Sequence, residues 1–497
     1  MRLKKALRNL TLTRRYNFKN IDIEGICTDS RYAERNEIFI ALKGTRVDGH
    51  KYIDEALSQG VSCIIVQSKK SEEFSKRFKN VIIIGVADTK AALIKLTENF
   101  YRVKIKGLKL IGVTGTNGKT TTTYLIESIL NSAGFKTGLI GTIDYRLPGK
   151  REVSINTTPA LNDLYKYFCQ MKKANVKYCI MEVSSHALTQ DRVGGLRFSR
   201  AIFTNLTRDH LDYHKNFNNY FKSKRKLFHQ LERRGGYAIL NIDDPYGERL
   251  LETILSRKLT YAVIKKADAN AIDIKSDLNG IRFAIRYKKE RIEINSKLRG
   301  TYNVYNILAA ATVALSLKIK SKHIIEGARR LKEVPGRLAL AARLNNIRIF
   351  VDYAHTPQAM KVVLQFLKTI QNRRKEGRII LVFGCGGERD KIKRPQMGHI
   401  ASRYADFTIL TTDNPRSEDP KDIAEEVAMG LSKNNYLIIL DRYEAIKRAI
   451  SRAKENDIVL IAGKGHEQVQ IFKDKIEVFD DRKAVKEVLN ELKRKNV

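Results

Sequence analysis

The chain has 497 residues, 43% of them hydrophobic, with 93 Lys and Arg against 54 Asp and Glu for a net charge of +39, and it lacks Trp. Such a length suits about three domains with sizeable cores. Cys27, Cys63, Cys169, Cys179 and Cys385 are scattered without a Cys-x-x-Cys pair, which argues against a disulfide framework or a structural zinc site and suits a reducing cytoplasm.

The basic N-terminus leads into no apolar segment, so no signal peptide is expected, and no apolar run approaches the roughly 18 residues of a membrane span. A positive balance of this size could serve nucleic acid, an anionic membrane face or polyanionic small substrates. The basic residues run from end to end rather than in one stripe, which favours ordinary solvated faces, and no nucleic-acid partner is expected.

In chain order, residues 1–106 read as a first α/β unit. Strands are expected at Ile21–Cys27, Glu37–Leu42, Cys63–Val66 and Val81–Val86, with helices at Tyr52–Gln59 and Lys90–Tyr101. Asp29-Ser30-Arg31 and the loop Lys43–His50 separate them. The first is either a plain turn or a Ser hydroxyl and Arg fork suited to a diphosphate or uridine ligand.

Residues 107–335 hold the most telling stretch. The apolar run Leu108–Val113 reads as a buried strand, followed by Thr114-Gly115-Thr116-Asn117-Gly118-Lys119-Thr120-Thr121 and a helix to about Ala133. Backbone N–H groups of such a turn, with the positive helix end, cradle phosphate oxygens. Lys119 would reach the β/γ-phosphates of ATP and Thr120 would hold Mg²⁺. The common P-loop has Gly five residues before Gly118, where this chain has Val113.

Two further strands, Tyr178–Val183 and Arg200–Thr204, end in Glu182-Val183-Ser184-Ser185-His186 and in a loop holding Asp209, His210 and His214. Loops at carboxyl ends of parallel strands gather around ligands, and a carboxylate near a triphosphate suits Mg²⁺. Asn156-Thr157-Thr158-Pro159 reads as a polar turn, Gln190-Asp191-Arg192 follows the Ser-Ser-His loop, and a basic helix, Tyr220–Glu232, carries Lys224. Beyond Tyr237–Asn241 short, hairpin-like strands are expected, then an alanine-rich helix running to about Lys318, with Asn303 and Asn306 one turn apart. That pair could face one ligand or simply pack and cap.

Pro335-Gly336 punctuates the chain, and residues 336–497 return to α/β alternation. Strands Ile347–Asp352, Arg378–Phe383, Phe407–Leu410 and Ile458–Ile461 run into Asp352–Pro357, Gly384–Asp390, Asp413-Asn414-Pro415-Arg416 and Ala462–Glu467, and a further strand is expected at Leu437–Leu440.

Together these motifs resemble the Mur ligases of bacterial cell-wall synthesis over essentially the whole chain. The resemblance implies an α/β protein of three domains: an N-terminal uridine-nucleotide-binding domain (1–106), a central P-loop-like ATPase domain with a mostly parallel sheet (107–335) and a C-terminal Rossmann-like amino-acid-binding domain (336–497). It implies ATP contacts at Thr114 to Thr121, Asn303, Arg337 and Asp352, and magnesium at Thr120, Glu182, His210 and Lys224. Lys224 aligns with a lysine carbamylated in relatives, and Lys119, Lys224, His210 and Glu182 would carry catalysis.

Ser30, Asn156, Thr157, Thr158, Ser184, Gln190 and Arg192 match positions for a UDP-linked muramoyl dipeptide. Asp413-Asn414-Pro415-Arg416 is similar to the signature of members that add meso-diaminopimelate, whose second carboxylate a guanidinium fork can take bidentately; Arg389, Gly463 and Glu467 would complete that pocket. Ala339 and Glu388 depart from the family, which commonly has Glu and Asp there.

The implied reaction is an ATP-driven ligation. The D-glutamyl γ-carboxylate of UDP-MurNAc-L-Ala-D-Glu is phosphorylated, then attacked by the amine of meso-2,6-diaminopimelate. A cytoplasmic monomer whose last domain closes over the central one is expected. A lysine-adding ligase, a folylpolyglutamate-synthetase-like ligase, a basic P-loop ATPase on nucleic acid and an idle precursor sensor are the alternatives.

Overall fold

A computed structural model describes residues 1–44, 47–432 and 434–495. Thr45 and Arg46 of the Lys43–His50 loop lie outside the described residues. Each of the three large sheets comes from one contiguous part of the chain.

The first sheet has five strands, in spatial order Leu12–Tyr16, Ile82–Val86, Cys63–Gln67, Glu37–Ile40 and Gly25–Cys27, parallel except for the first. Its inner strands are continuous apolar runs such as Ile82–Val86, buried throughout, as expected where helices cover both faces. The expected Ile21–Cys27 strand shrinks to Gly25–Cys27. The Ile21 carbonyl instead accepts from Leu3 N–H at 2.9 Å, and Ile23 N–H donates to Met1 O at 2.8 Å. Two elements gave no readable signal. One is the edge strand Leu12–Tyr16, half charged and largely exposed; the other is the lysine-rich helix Ser68–Arg77.

The central sheet has eleven strands. Thr137–Ile140, Tyr178–Glu182, Lys109–Thr114, Phe198–Phe203, Tyr237–Asn241, Arg257–Ala262 and Ala269–Asp277 lie side by side and parallel. Antiparallel strands extend both edges: Asp144–Leu147 and Lys150–Val153 at one, Gly280–Tyr287 and Glu290–Ser296 at the other. The strands beyond Tyr237–Asn241 are therefore not short. The three at that end run 9, 8 and 7 residues, and their inward side chains alternate cleanly enough to bury Ile281, Phe283, Ile285, Ile292 and Ile294.

Helices Lys119–Ser132, Tyr302–Ser316 and Ser321–Arg330 pack together over this sheet. Small side chains permit close approach: Ala309, Ala310 and Ala311 are fully buried, and a Cβ on Gly327 would meet the Ile129 backbone at 2.5 Å.

The third sheet, in order Ala339–Leu344, Ile347–Asp352, Ile458–Ala462, Ile379–Phe383, Phe407–Leu410 and Tyr436–Ile438, is parallel apart from its first strand. Its parallel strands all point their carboxyl ends the same way, so the loops flagged in the sequence emerge at one edge. Ala339 starts the antiparallel strand and is fully buried opposite Val351, a place without room for a longer acidic side chain. Among the described residues no helix is long and apolar enough to cross a membrane.

Candidate functional site

A cleft of about 520 Å³ opens where the central and third sheets face one another. Its floor is the turn after strand Lys109–Thr114. Gly118 caps helix Lys119–Ser132 in a left-handed conformation, φ 86°, and a Cβ there would overlap the Asn306 side-chain oxygen; glycine alone fits. The loop is clamped from the next strand end. Thr116 N–H donates to Asn205 O at 2.8 Å, Asn117 N–H to Asn205 Oδ1 at 2.9 Å, and Thr204 Oγ1 to Asn117 O at 2.6 Å.

Lys119 curls back, donating to Gly115 O (3.0 Å) and Thr116 O (2.9 Å). Desolvation lowers its pKa, while Glu182 and Asp209 pull it up. Thr114 is buried beneath the turn, and Thr121 lines the cleft.

Glu182 is fully buried at the end of its strand. Its carboxylate accepts from Thr120 Oγ1 (3.1 Å), Thr142 N–H (2.8 Å) and Thr142 Oγ1 (3.0 Å). Hydroxyl and carboxylate oxygens grouped in this way are the hard donors that Mg²⁺ takes.

His210 sits on the cleft wall at φ 53°, with Nε2 3.3 Å from Asp209 Oδ2. Burial drives its pKa down although Asp209 opposes this. Lys224 lies behind the loop rather than on the cleft surface. It is buried, donates to Gly115 O at 2.8 Å and stands 4.4 Å over the Tyr220 ring. Burial, and secondarily Lys119, lower its pKa well below the usual lysine value, which favours the neutral amine. Among the described residues no group of three or more His, Cys, Asp or Glu gathers as a metal site.

Asn303 does not reach the cleft. Its amide donates to Arg299 O at 2.6 Å and its oxygen accepts from Asn306 Nδ2 at 2.7 Å. Asn306, one turn on, lines the cleft in its place.

From the third sheet, Arg337 donates to Thr120 Oγ1 at 3.2 Å and covers the Tyr353 ring at 4.6 Å. Asp352 also lines the cleft, accepting from Leu338 N–H (2.6 Å) and Ala354 N–H (2.7 Å). Burial lifts its pKa to about 6 against the pull of Arg337 and of both N–H groups. Gly336 holds this linker flush on the loop after strand Ile458–Ala462: at φ 65°, a Cβ would meet His466 N at 2.5 Å.

The residues expected at the dipeptide form a connected chain beside Glu182. Thr157 and Thr142 share a hydroxyl contact at 3.1 Å. Thr158 Oγ1 donates to Glu182 O (2.9 Å) and accepts from Ser184 N–H (3.1 Å). Arg192 donates to Thr158 O (3.0 Å) and Gln190 Oε1 (2.9 Å). Ser184 caps helix Ser185–Thr189. Asn156 is exposed, and its carbonyl accepts from Tyr145 OH. Ser30 lies apart in the first sheet's unit, where its hydroxyl donates to Glu55 at 2.7 Å, and Arg31 pairs with Asp29.

The amino-acid residues expected from the third unit do converge. Asn414 Nδ2 donates to Glu467 Oε2 at 2.8 Å, and Tyr353 OH donates to Glu467 Oε1 at 3.2 Å. Gly463 abuts the Asp413 carboxylate. Pro415 leads into Arg416, held at φ 55° with its guanidinium on Gly387 O (2.7 Å) and Asn414 O (3.3 Å). Burial and the nearby Arg389 lower the Arg416 pKa. Arg389 is exposed and has no hydrogen-bond or ion-pair partner among the described residues.

Sequence reasoning did not single out Thr142, Tyr353 and His355, which line the cleft, or Lys464, whose Nζ meets Asn414 Oδ1 at 3.0 Å and Glu467 Oε2 at 3.4 Å. Tyr353, His355 and Lys464 sit inside flagged loops, but Thr142 follows an unremarkable strand and carries no signal.

Three family models match the chain: "Mur ligase family, catalytic domain" at residues 22–101, "Mur ligase middle domain" at 113–314 and "Mur ligase, glutamate ligase domain" at 336–465. A UDP-N-acetylmuramoyl-L-alanyl-D-glutamate–2,6-diaminopimelate ligase of Clostridium tetani is 42% identical over 498 residues, 99% of this chain and 100% of the relative. A solved structure of a ligase with that same name is 30% identical, with TM-score 0.66 and 95% of each chain covered. A Thermotoga maritima MurF ligase solved with ADP shares the fold at TM-score 0.66 and 19% identity, over 97% of this chain and 100% of that one. With its loops at one sheet edge and this identity along its whole length, the chain belongs to the Mur ligase family.

Proposed function

We propose that the protein is an ATP-dependent ligase that joins meso-2,6-diaminopimelate to the D-glutamyl γ-carboxylate of UDP-MurNAc-L-Ala-D-Glu, a cytoplasmic step of peptidoglycan precursor synthesis. The observation that carries this reading is the 3.2 Å hydrogen bond from Arg337 to Thr120. It ties the phosphate loop to the linker whose Gly336 bears on the Gly465–His466 backbone, which supports a triphosphate at the first loop being brought toward an amine at the second. The five unpaired cysteines suit a reducing compartment. In this reading residues 1–106 take the uridine nucleotide, 107–335 the ATP and 336–497 the amino acid.

The chemistry must bring two anions together. The γ-carboxylate attacks the γ-phosphorus of ATP, the β–γ bridge bond breaks, and ADP leaves with an acyl phosphate remaining. The diaminopimelate amine, having lost a proton, then attacks the acyl carbon, and inorganic phosphate departs. Positioning and charge neutralisation do most of the work. Lys119 is to uncurl from Gly115 and Thr116 onto the β/γ-phosphates. Thr157, Thr158, Ser184, Gln190 and Arg192 are to orient the dipeptide, and Asp352, Arg337 and Asn306 the nucleotide.

Magnesium, when bound, would supply positive charge that offsets the two anions; Thr120 and Glu182 are the residues to hold one ion, and His210 with a carbamylated Lys224 a second. A neutral amine, the form that burial favours at Lys224, is the one that takes up CO₂, releasing a proton and gaining a carboxylate. Arg389 and Arg416 meet the distal carboxylate of diaminopimelate, and Glu467 its ammonium.

The test is phosphate release with UDP-MurNAc-L-Ala-D-Glu, ATP and each candidate amino acid. Diaminopimelate is expected to support turnover and lysine to be poor. Equal use of both would overturn the role given to Arg416, and phosphate release without any amino acid would overturn the ligase reading.

A further inference from the structure

His355 stands between the phosphate loop and the loops read as the amino-acid pocket. Its loop leaves strand Ile347–Asp352, and it lines the cleft together with Thr116, Lys119 and Asp209 of the central unit. On the other side its ring lies 4.5 Å, centroid to centroid, from Tyr353, whose hydroxyl donates to Glu467 at 3.2 Å.

One ring nitrogen is committed. Nδ1 lies 2.8 Å from Tyr353 O. A carbonyl can only accept, so Nδ1 carries the hydrogen and, in the neutral ring, Nε2 holds a lone pair. Nε2 has no hydrogen-bond partner among the described residues. Burial and then the Lys393 ammonium, whose Nζ donates to His355 O at 3.0 Å, hold the ring below the usual histidine pKa. Asp209, the Tyr353 carbonyl and Glu467 pull the other way, and His466 is a further titratable ring close by. The ring is therefore neutral near pH 7.

The other titratable acceptors on the cleft are already engaged. Glu182, Asp243, Asp244 and Asp352 each accept from two or more donors. Asp209 faces His210.

The ligation needs such an acceptor. An amino acid arrives with its amine protonated, and an ammonium has no lone pair with which to attack an acyl phosphate. We propose that His355 is a catalytic residue, the general base that takes a proton from the incoming ammonium at Nε2. The freed lone pair bonds to the acyl carbon. The tetrahedral intermediate then collapses: the bond from carbon to the phosphate oxygen breaks, the second N–H proton leaves with inorganic phosphate, and the imidazolium returns its proton to water. This rests on the ligase reading above.

The experiment uses full-length wild type and His355→Asn, whose amide can still donate to Tyr353 O but holds no base. Diaminopimelate-dependent phosphate release is followed against pH. Hydroxylamine, an amine already neutral at about pH 7, is the second acceptor, and its hydroxamate product reports the acyl phosphate without needing a base. At about pH 7, His355→Asn should lose on the order of 10²- to 10³-fold in kcat/KM for diaminopimelate, while hydroxamate formation stays within about threefold. Above that pH the variant's kcat/KM should climb about tenfold per pH unit, following the fraction of substrate amine that is already deprotonated, where the wild type is level.

Equal losses with diaminopimelate and hydroxylamine would place His355 in an earlier step or in the fold and overturn the proposal. So would a variant that keeps the wild-type pH profile, or one with no loss at all. Should His355→Asn not fold, His355→Gln is read by the same two measurements. Wild-type protein with no diaminopimelate-dependent turnover would instead fail the substrate reading beneath the proposal.

Discussion

The proposed phosphate loop and the proposed amino-acid pocket are built in opposite ways. The loop is one contiguous octapeptide whose backbone is held chiefly from the adjoining strand end, by Thr204 and Asn205, with Lys224 behind it on Gly115 O. The pocket has no contiguous core: Tyr353, Asn414, Lys464 and Glu467 come from three strand ends and meet through side chains. The first can be read as a word and the second only as a fold. Substitutions should follow suit: a change in the loop removes a function shared with any ATP-driven ligation, whereas a change in the pocket alters which amine is taken.

The largest expected effect tests the loop. Lys119→Ala should cost on the order of 10²- to 10³-fold in kcat whatever the amino acid; phosphate release at wild-type rates would break the comparison at its stronger end. Next, Lys224→Ala should lose about 10- to 100-fold in turnover, and added formate or acetate should restore part of it by supplying the missing carboxylate. Absence of any defect would remove Lys224 from the catalytic set.

On the pocket side, Arg416→Ala should raise KM for diaminopimelate on the order of 10- to 100-fold with little change in KM for ATP. A matching loss for lysine would show that the guanidinium does not read the second carboxylate.

The smallest effect is one of stability. The folded pKa of Asp352 stands at about 6, above the unfolded value of about 4. The folded state thus holds the proton more tightly, and this contribution is present below pH about 4 and lost as pH rises to about 6. Between those limits the thermal midpoint of Asp352→Asn should change less with pH than that of the wild type. Parallel curves would contradict the shift.

The same contrast explains what was legible. Strand–turn–helix punctuation exposed the loop, Glu182 and the four C-terminal strand ends because each is local. The amino-acid loops were recognisable as a set, yet the roles within them were not, since nothing near Lys464 in sequence says that Asn414 will sit 3.0 Å away. Asn303 and Asn306 show the limit well: helical spacing put both on one face, but only packing decided that Asn306 meets the cleft while Asn303 stands behind it. The arm beyond Tyr237–Asn241 is longer than its sequence suggests: isoleucines alternating with Asp, Arg and Glu read as short hairpins, although together they extend an eleven-stranded sheet. Leu12–Tyr16 escaped notice as a charged edge strand, the kind that sheets use to discourage association.

The flush seat of Gly336 against His466 has a mechanical corollary. A side chain at that position would act as a spacer, giving slack between the linker and the loop that leads into the amine pocket. Without one, the two backbones bear directly on each other, and Arg337, the next residue, rests on Thr120. One peptide unit therefore joins the backbone contact at Gly465 and His466 to the side-chain contact at Thr120, a covalent tie between loops of two different sheets.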